Sequence, residues 1–388
     1  MTFSTHPLSY CTNVHPGLTV AEVQRGLTEY TKSVRQQVGE LAAGLWLAQP
    51  VVAELLTSSD QLERFAGFLQ EAGLPCYTLN AFPYGNFHDD RVKENVYLPD
   101  WTRDSRCQYT LDCARVLSRL LPPDIEWGSM STVPLGFKEF SHPIDFQDQC
   151  AQQLIDLAQA LSNLRDETGR TIRLAIEPEP FCILETTDET LDFFQRLRKL
   201  AADRNLLDEV YDFIGVCYDV CHQAVEFEDV AESLRRLHAA DIAINKVHIS
   251  CAIRVEQPAD NEAAREALAR YAEPRYLHQT MGRTSDGTIH RLVDLTEDAA
   301  LHPDDKFAAA DEWRVHFHVP VNAETLGPLQ TTRPDLKAAL AAVKELTDCP
   351  HLEVETYTWE VLPGAEKPSL VDGLAEEIRA TRQLLDNI

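Results

Sequence analysis

Ile172-Arg-Leu-Ala-Ile-Glu177-Pro178 is a short, mostly apolar run that ends on a carboxylate and is stopped by proline. It reads as a β-strand, and the pattern around it repeats. Upstream, Phe146 to Arg165 carries helical apolar spacing; downstream, Thr190 to Ala202 does the same before the next strand-like run, Ile214 to Val220. Earlier runs lie at Leu8 to Val14, Leu41 to Leu47, Pro75 to Ala81 and Ile125 to Val133, with helical stretches such as Val52 to Glu71 and Tyr109 to Leu121 between them. Later runs lie at Asn245 to Ser250 and His351 to Thr356. Eight βα units without a linker predict one closed (β/α)8 TIM barrel over residues 1–388, and no Gly-rich loop after the first strand favours a doubly wound dinucleotide fold.

One interval breaks the rhythm. Residues 255–312 are far longer than an ordinary βα connection and predict an insertion late in the barrel. Asn261 to Tyr271 is Ala-rich and helical in pattern, and Tyr276 to Leu295 reads as a hairpin or lid punctuated by Gly282, Asp286 and Gly287. Because it follows a strand end, this segment is expected over the catalytic mouth. The apolar run Trp313 to Val321 belongs either to the insertion or to an extra strand, before a helix starting near Thr332 and Pro334.

A net charge of −27, from 35 basic and 62 acidic residues, gives no footprint for a phosphate backbone and excludes nucleic acid as the expected partner. No long apolar run suggests a membrane span. Met1 to Tyr10 lacks the basic start and apolar stretch of a secretory signal, so a cytoplasmic location is expected, with reduced thiols among the 10 scattered cysteines. Cys217, Cys221 and Cys251 fall near the candidate site but read as small buried residues, not nucleophiles. The oligomeric state is left open.

In a barrel the active site forms at the C-terminal ends of the strands. Four such ends carry metal-capable side chains: Glu177, Asp219 after Gly215-Val-Cys-Tyr, His248 after Lys246-Val, and Glu355 at the close of the last strand. A strand-end carboxylate can merely cap the next helix, and a lone His is usually structural. The four together predict a mixed oxygen and nitrogen shell for a divalent ion such as Mn, Zn, Fe, Co or Mg. Glu353 shares a strand face with Glu355, so either could ligate; Glu355 is preferred because it ends the run.

These motifs resemble the xylose-isomerase-like barrels of the sugar phosphate isomerase and epimerase superfamily, which includes tagatose epimerases and endonuclease IV. Leu174-Ala-Ile-Glu177-Pro178 resembles the first ligand strand, and Tyr218-Asp219-Val-Cys-His222 resembles an Asp-x-x-His element with Asp219 on the metal and His222 near substrate. His248-Ile-Ser-Cys-Ala-Ile-Arg254 is similar to a ligand His followed by a substrate-binding Arg, and Leu352-Glu-Val-Glu355 to the last ligand strand. The likeness is best from about Ile172 to Thr356. Leu8 to Gly17, Leu79 to His88 and Ser129 to Lys138 further resemble EboE, the barrel family of bacterial ebo clusters described as metabolite traffic proteins.

The resemblance implies a metal-dependent isomerase or epimerase of a sugar-like or cyclitol-like metabolite, free or phosphorylated. Glu177 and Glu355 would act as base and acid around a metal-stabilised enediolate. His222 and Arg254 would hold substrate oxygens, with His88 and Lys138 as further substrate contacts or ordinary loop residues. Arg314-Val-His316-Phe-His318 departs from the minimal epimerase pattern and supplies a second metal site, polar contacts to substrate or simple packing. Two rivals are a phosphoester hydrolase of endonuclease IV type and a non-catalytic metabolite carrier.

Overall fold

The computed structural model describes residue 3, residues 6–364 and residues 367–388. Met1, Thr2, Ser4 and Thr5, part of the stretch read for a leader, lie outside the described residues. Seven strands come first: β1 (Ser9–Cys11), β2 (Ala42–Trp46), β3 (Thr78–Asn80), β4 (Trp127–Thr132), β5 (Thr171–Ile176), β6 (Ile214–Asp219) and β7 (Ile244–Ile249). Six short ones follow, β8 (Ile253–Glu256), β9 (Thr280–Arg283), β10 (Ile289–Leu292), β11 (Glu312–Val315), β12 (Thr325–Leu326) and β13 (Leu329–Thr331), and then β14 (His351–Val354). β1 to β7 and β14 close in the order β1-β14-β7-β6-β5-β4-β3-β2, every pair parallel. Each of the eight barrel strands falls within an apolar run singled out in the sequence, apart from a residue at an end.

Helices cover the barrel because their apolar stripes match the outward faces of the strands. The helix Phe146–Thr168 buries Leu154, Leu157, Leu161 and Leu164, and ends at Gly169, whose φ of +68° suits a residue without a Cβ. A capping box of Thr186 and Glu189 starts the helix Thr187–Asp203. The expected helix Val52 to Glu71 is two, Gln49–Leu55 and Ser59–Ala72. Ser58 divides them, since its extended backbone and its hydroxyl, which accepts from Gln61 N, form an N-cap.

The second sheet runs β10-β9-β11-β8-β13-β12. It spans Ile253 to Thr331, beyond the expected 255–312 interval, because the chain after β11 returns to pair β13 with β8. β9 and β10 form the expected hairpin, turned at Gly287 with φ +87°. The Trp313 to Val321 run is split: its first part is β11, between β8 and β9, and residues 316–321 leave the sheet toward the barrel. The sheet is fastened over the mouth by Arg291, which reaches Glu226 at 3.2 Å and also Glu185, and by Arg275, whose carbonyl accepts from Val92 N and Lys93 N at 2.8 Å. No described helix is long and apolar enough to cross a membrane.

Candidate metal centre

Parallel register places Asp219 beside His248 and His248 beside Glu353, so one row of inward side chains crosses β6, β7 and β14. Glu177 continues the line of β5, its N–H donating to Thr132 O at 3.0 Å, and Glu355 continues β14, donating to Ile249 O at 3.1 Å. The four side chains therefore converge at the C-terminal ends of neighbouring strands. Each offers a ligand atom lying within 4.8 Å of the others, and all four are buried.

His248 Nδ1 is the hub. It lies 2.9 Å from Glu177 Oε1, 3.0 Å from Glu355 Oε2 and 3.5 Å from Asp219 Oδ2. Asp219 does cap the short helix Val220–Val225, but with Oδ1, which accepts from His222 N at 3.0 Å and from the Ser250 hydroxyl at 2.7 Å. Its Oδ2 has no hydrogen-bond partner, nor has Glu177 Oε2. Buried carboxylate oxygens without a donor are costly, and three carboxylates around one imidazole repel each other. Burial pushes the Glu177 carboxyl above its ordinary value, with Glu355 adding to it, while Cys217, Glu177 and Glu355 together outweigh burial at His248 and hold its imidazole well above the usual range. A divalent cation satisfies both defects, so the donor set fits such an ion.

A cleft opens onto this cluster. Its floor includes Glu177, Glu355 and His222, and its walls include Phe82, Phe87, Tyr276 and Tyr357. Asp219 and His248 stand behind the floor and do not line it.

No protein-family model and no curated protein sequence matches the chain. Solved structures do. An L-ribulose 3-epimerase superposes with a TM-score of 0.51 at 14% identity, over 98% of this chain and 94% of that one. A xylose isomerase-like TIM barrel protein from Mycobacterium smegmatis, solved with magnesium, gives 0.51 at 12% identity, over 100% and 99%. A D-tagatose 3-epimerase-like protein gives 0.51 at 11% identity, over 98% and 97%. The fold is that of the xylose-isomerase-like TIM barrels. On this barrel the ends of β5, β6, β7 and β14 build the candidate centre, and the covering sheet adds to it.

Residues 316–318 deliver His316 and His318 beside His222, with ring centroids 4.5 Å and 5.5 Å from the His222 ring. His318 Nε2 lies 3.4 Å from His222 Nε2 and 4.0 Å from Asp219 Oδ2. Glu179, His222 and His316 form a second group of mutually close ligand atoms, as do Asp219, His222 and His318. His316 Nε2 is buried without a partner, and burial together with the two other rings keeps the His316 imidazole neutral, the form that binds metals.

Three residues expected at substrate are elsewhere. Arg254 sits on β8, where Ile253 and Val255 turn inward and Arg254 outward; its guanidinium contacts Glu256 at 2.5 Å and Glu312 at 3.0 Å. Lys138 pairs with Glu185 and Glu189 away from the cleft. His88 Nε2 bonds Asn13 O at 2.8 Å and stands behind Phe87 instead of facing the cavity. Phe82 faces the cleft, while the indoles of Trp46 and Trp359 donate to Pro83 O and Glu377. No disulfide is present among the described residues, and burial pushes the Cys217 thiol up to about 12.

Three functional positions escaped the sequence reading. Asn13 and Asn80 donate to Glu355 Oε1 at 2.9 and 3.0 Å, fixing that carboxylate from the turn after β1 and from β3. Glu179 accepts from the Tyr97 hydroxyl at 2.6 Å and lies 3.6 Å from His316 Nδ1. The Glu-Pro-Glu-Pro sequence at 177–180 was the available signal, because proline on both sides forces an extended path that returns Glu179 to the mouth.

Proposed function

We propose that the chain is a metal-dependent isomerase or epimerase of a sugar-like or cyclitol-like polyol, with Glu177, Asp219, His248 and Glu355 as ligands. One observation carries this reading: of the four, only Glu177 and Glu355 line the cleft. Asp219 and His248 can hold an ion, but only the two glutamates can also reach a substrate proton. A bound ion would act as a Lewis acid toward a substrate carbonyl. Glu177 and Glu355 then move a proton off and onto the carbon between them, Glu355 steadied by Asn13 and Asn80. His222 holds a substrate oxygen, and the covering sheet keeps bulk water from the site.

The cleft favours a substrate without phosphate. Lys93 is the cation among its described lining residues, and its Nζ is committed to Asp294 at 2.6 Å and Tyr276 O at 3.0 Å. The resemblance to EboE supports a metabolite derived from a sugar or cyclitol. Two of the solved structures with this barrel carry sugar 3-epimerase names, which agrees with the reaction class.

Solvent-deuterium incorporation tests the chemistry. With metal at saturation, a panel of free ketoses and keto-cyclitols should exchange a carbon-bound proton in the unaltered chain, and Glu177→Gln or Glu355→Gln should slow exchange at least ~100-fold. Exchange unchanged in variants that still bind metal would sink the acid and base roles of the two glutamates, and no exchange in an unaltered chain that binds metal and polyol would leave a carrier. A second reading, hydrolysis of a small phosphoester, is favoured by the Glu179, His222 and His316 group with its unpartnered Nε2. Two or more ions per chain with phosphatase turnover would decide for it.

A further inference from the structure

Below the metal cluster the barrel interior holds an ion pair where branched aliphatic side chains ordinarily fill the space. Lys246 Nζ lies 2.6 Å from Glu353 Oε1, and both side chains are wholly buried. Burying two such ions costs several kcal/mol of hydration each, and an apolar pair of similar volume would serve the fold as well or better. The backbone makes room for the pair: a Cβ on Gly44 would fall 1.5 Å from Glu353 Oε2 and 2.8 Å from Tyr10 O. The Ser9 hydroxyl donates to the same Oε2 at 3.3 Å.

The other neighbour of this carboxylate is His248. Glu353 and His248 are register partners on β14 and β7, and Glu353 Oε1 lies 3.3 Å from His248 Nε2, two buried atoms that face each other and have no hydrogen bond. The two ring nitrogens thus face different groups: Nδ1 faces Glu177, Asp219 and Glu355, and Nε2 faces Glu353 alone. Lys246 fixes Glu353 from behind with two further anchors, since Nζ also donates to Leu79 O at 3.2 Å and to the Ser131 hydroxyl at 3.4 Å.

We propose that Glu353, held by Lys246 and admitted by Gly44, is a positioning residue of the metal centre. It accepts a hydrogen bond from the Nε2–H of His248, fixes the ring tautomer and presents Nδ1 to the ion. The sequence treats Glu353 as a rival ligand to Glu355. The geometry gives it a different task one layer deeper, where the carboxylate meets the imidazole and never the cleft. A carboxylate behind a ligating histidine raises the basicity of the ligand nitrogen and restricts its rotation, and loss of such a group weakens metal binding about 10- to 100-fold.

This inference rests on the metal reading above, and cobalt titration of the full chain separates the two. Visible absorption reports both Co²⁺ affinity and ligand geometry, and ¹⁵N-histidine spectra of the Zn²⁺-loaded chain report the tautomer. The Lys246→Met, Glu353→Gln double variant removes both charges together and leaves no buried ion unpaired. Its Co²⁺ affinity should fall about 10- to 100-fold with altered absorption, while its metal-free form still unfolds cooperatively. Glu353→Asp keeps the ion pair but withdraws the carboxylate from the ring, so it should lie between the two, and it decides the matter alone if the double variant does not fold. Wild-type affinity and spectrum in these variants would overturn the positioning role. Absence of Co²⁺ uptake by the unaltered chain would overturn the metal reading and this inference with it.

Discussion

At the barrel mouth Glu177, Asp219 and Glu355 converge on a single imidazole, whereas in the covering sheet Arg254, Arg314, Glu256 and Glu312 alternate in sign and pair with one another. Arg314 contacts Glu312 at 2.6 Å and Asp335 at 3.1 Å, so it has a counter-charge on each side. The sheet settles its charges internally, and they hold its strands together. The mouth leaves two carboxylate oxygens without donors and places like charges in contact, an arrangement that opposes folding unless something binds. Charge pairing in this chain therefore separates scaffold from site better than charge count does.

The largest expected effect puts a cation into that imbalance. A divalent ion that binds the folded chain alone should stabilise it by about 4 kcal/mol at a free concentration a thousandfold above its dissociation constant, and a chelator should reverse the gain. In His248→Ala the metal-induced shift in denaturant midpoint should vanish. The metal-free variant should also lose about 3 kcal/mol, because three carboxylates then share no positive partner. A shift of unchanged size in His248→Ala would place the ion elsewhere, for example on the Glu179, His222 and His316 group.

Glu377 sharpens the comparison, because it is a buried carboxylate with donors but no cation. It accepts from Val321 N at 3.0 Å, from the Thr356 hydroxyl at 2.6 Å and from the Trp359 indole at 2.8 Å, tying the segment after His318 to the segment after Glu355. Burial nevertheless raises its pKa from 4.5 to about 7, whereas Glu353, equally buried but beside Lys246, is held down at about 2. The folded form of Glu377 keeps its proton longer than the unfolded form. Its contribution is thus complete below pH 4.5, declines as pH rises through the window to about 7, and is flat above it. Over that window the stability difference between the unaltered chain and Glu377→Gln should change by about 3 kcal/mol in the direction that favours the variant. Parallel pH curves for the two chains would show that the three donors alone decide the ionisation.

The sequence carried the barrel because an apolar run ending in an ionisable residue is a local signal, repeated at Glu177, Asp219, His248 and Glu355. It did not carry Asn13, Asn80 or Glu179. Two are neutral amides, one just past β1 and one on β3, that reach Glu355 only once the barrel has closed, and the third follows a proline whose path depends on the loop. It did not separate Glu353 from Glu355 either, since period-two alternation assigns both to one face and says nothing of depth. Depth is set by strand shear and by the space at Gly44, both non-local. The limits of the insertion failed for a similar reason: β13 pairs with β8 across more than seventy residues, and neither short strand stands out alone.

Arg254 gives the smallest effect and the most direct contrast. Its spacing after His248 suggested a substrate contact, but alternation along Ile253-Arg254-Val255 already opposed it: with both aliphatic neighbours buried inward, the Arg must face away. Its guanidinium is about one-quarter exposed and shared between Glu256 and Glu312. Arg254→Ala should therefore cost about 1 kcal/mol or less, since Arg283 and Arg314 still flank Glu312. Polyol and metal affinities should be unchanged within twofold or so, as no charge at the mouth is altered. A tenfold rise in the polyol dissociation constant, with the denaturant midpoint unmoved, would mean that the sheet shifts on ligand binding and carries Arg254 into the cleft, and the division between paired scaffold and unpaired site would then hold only for the empty chain.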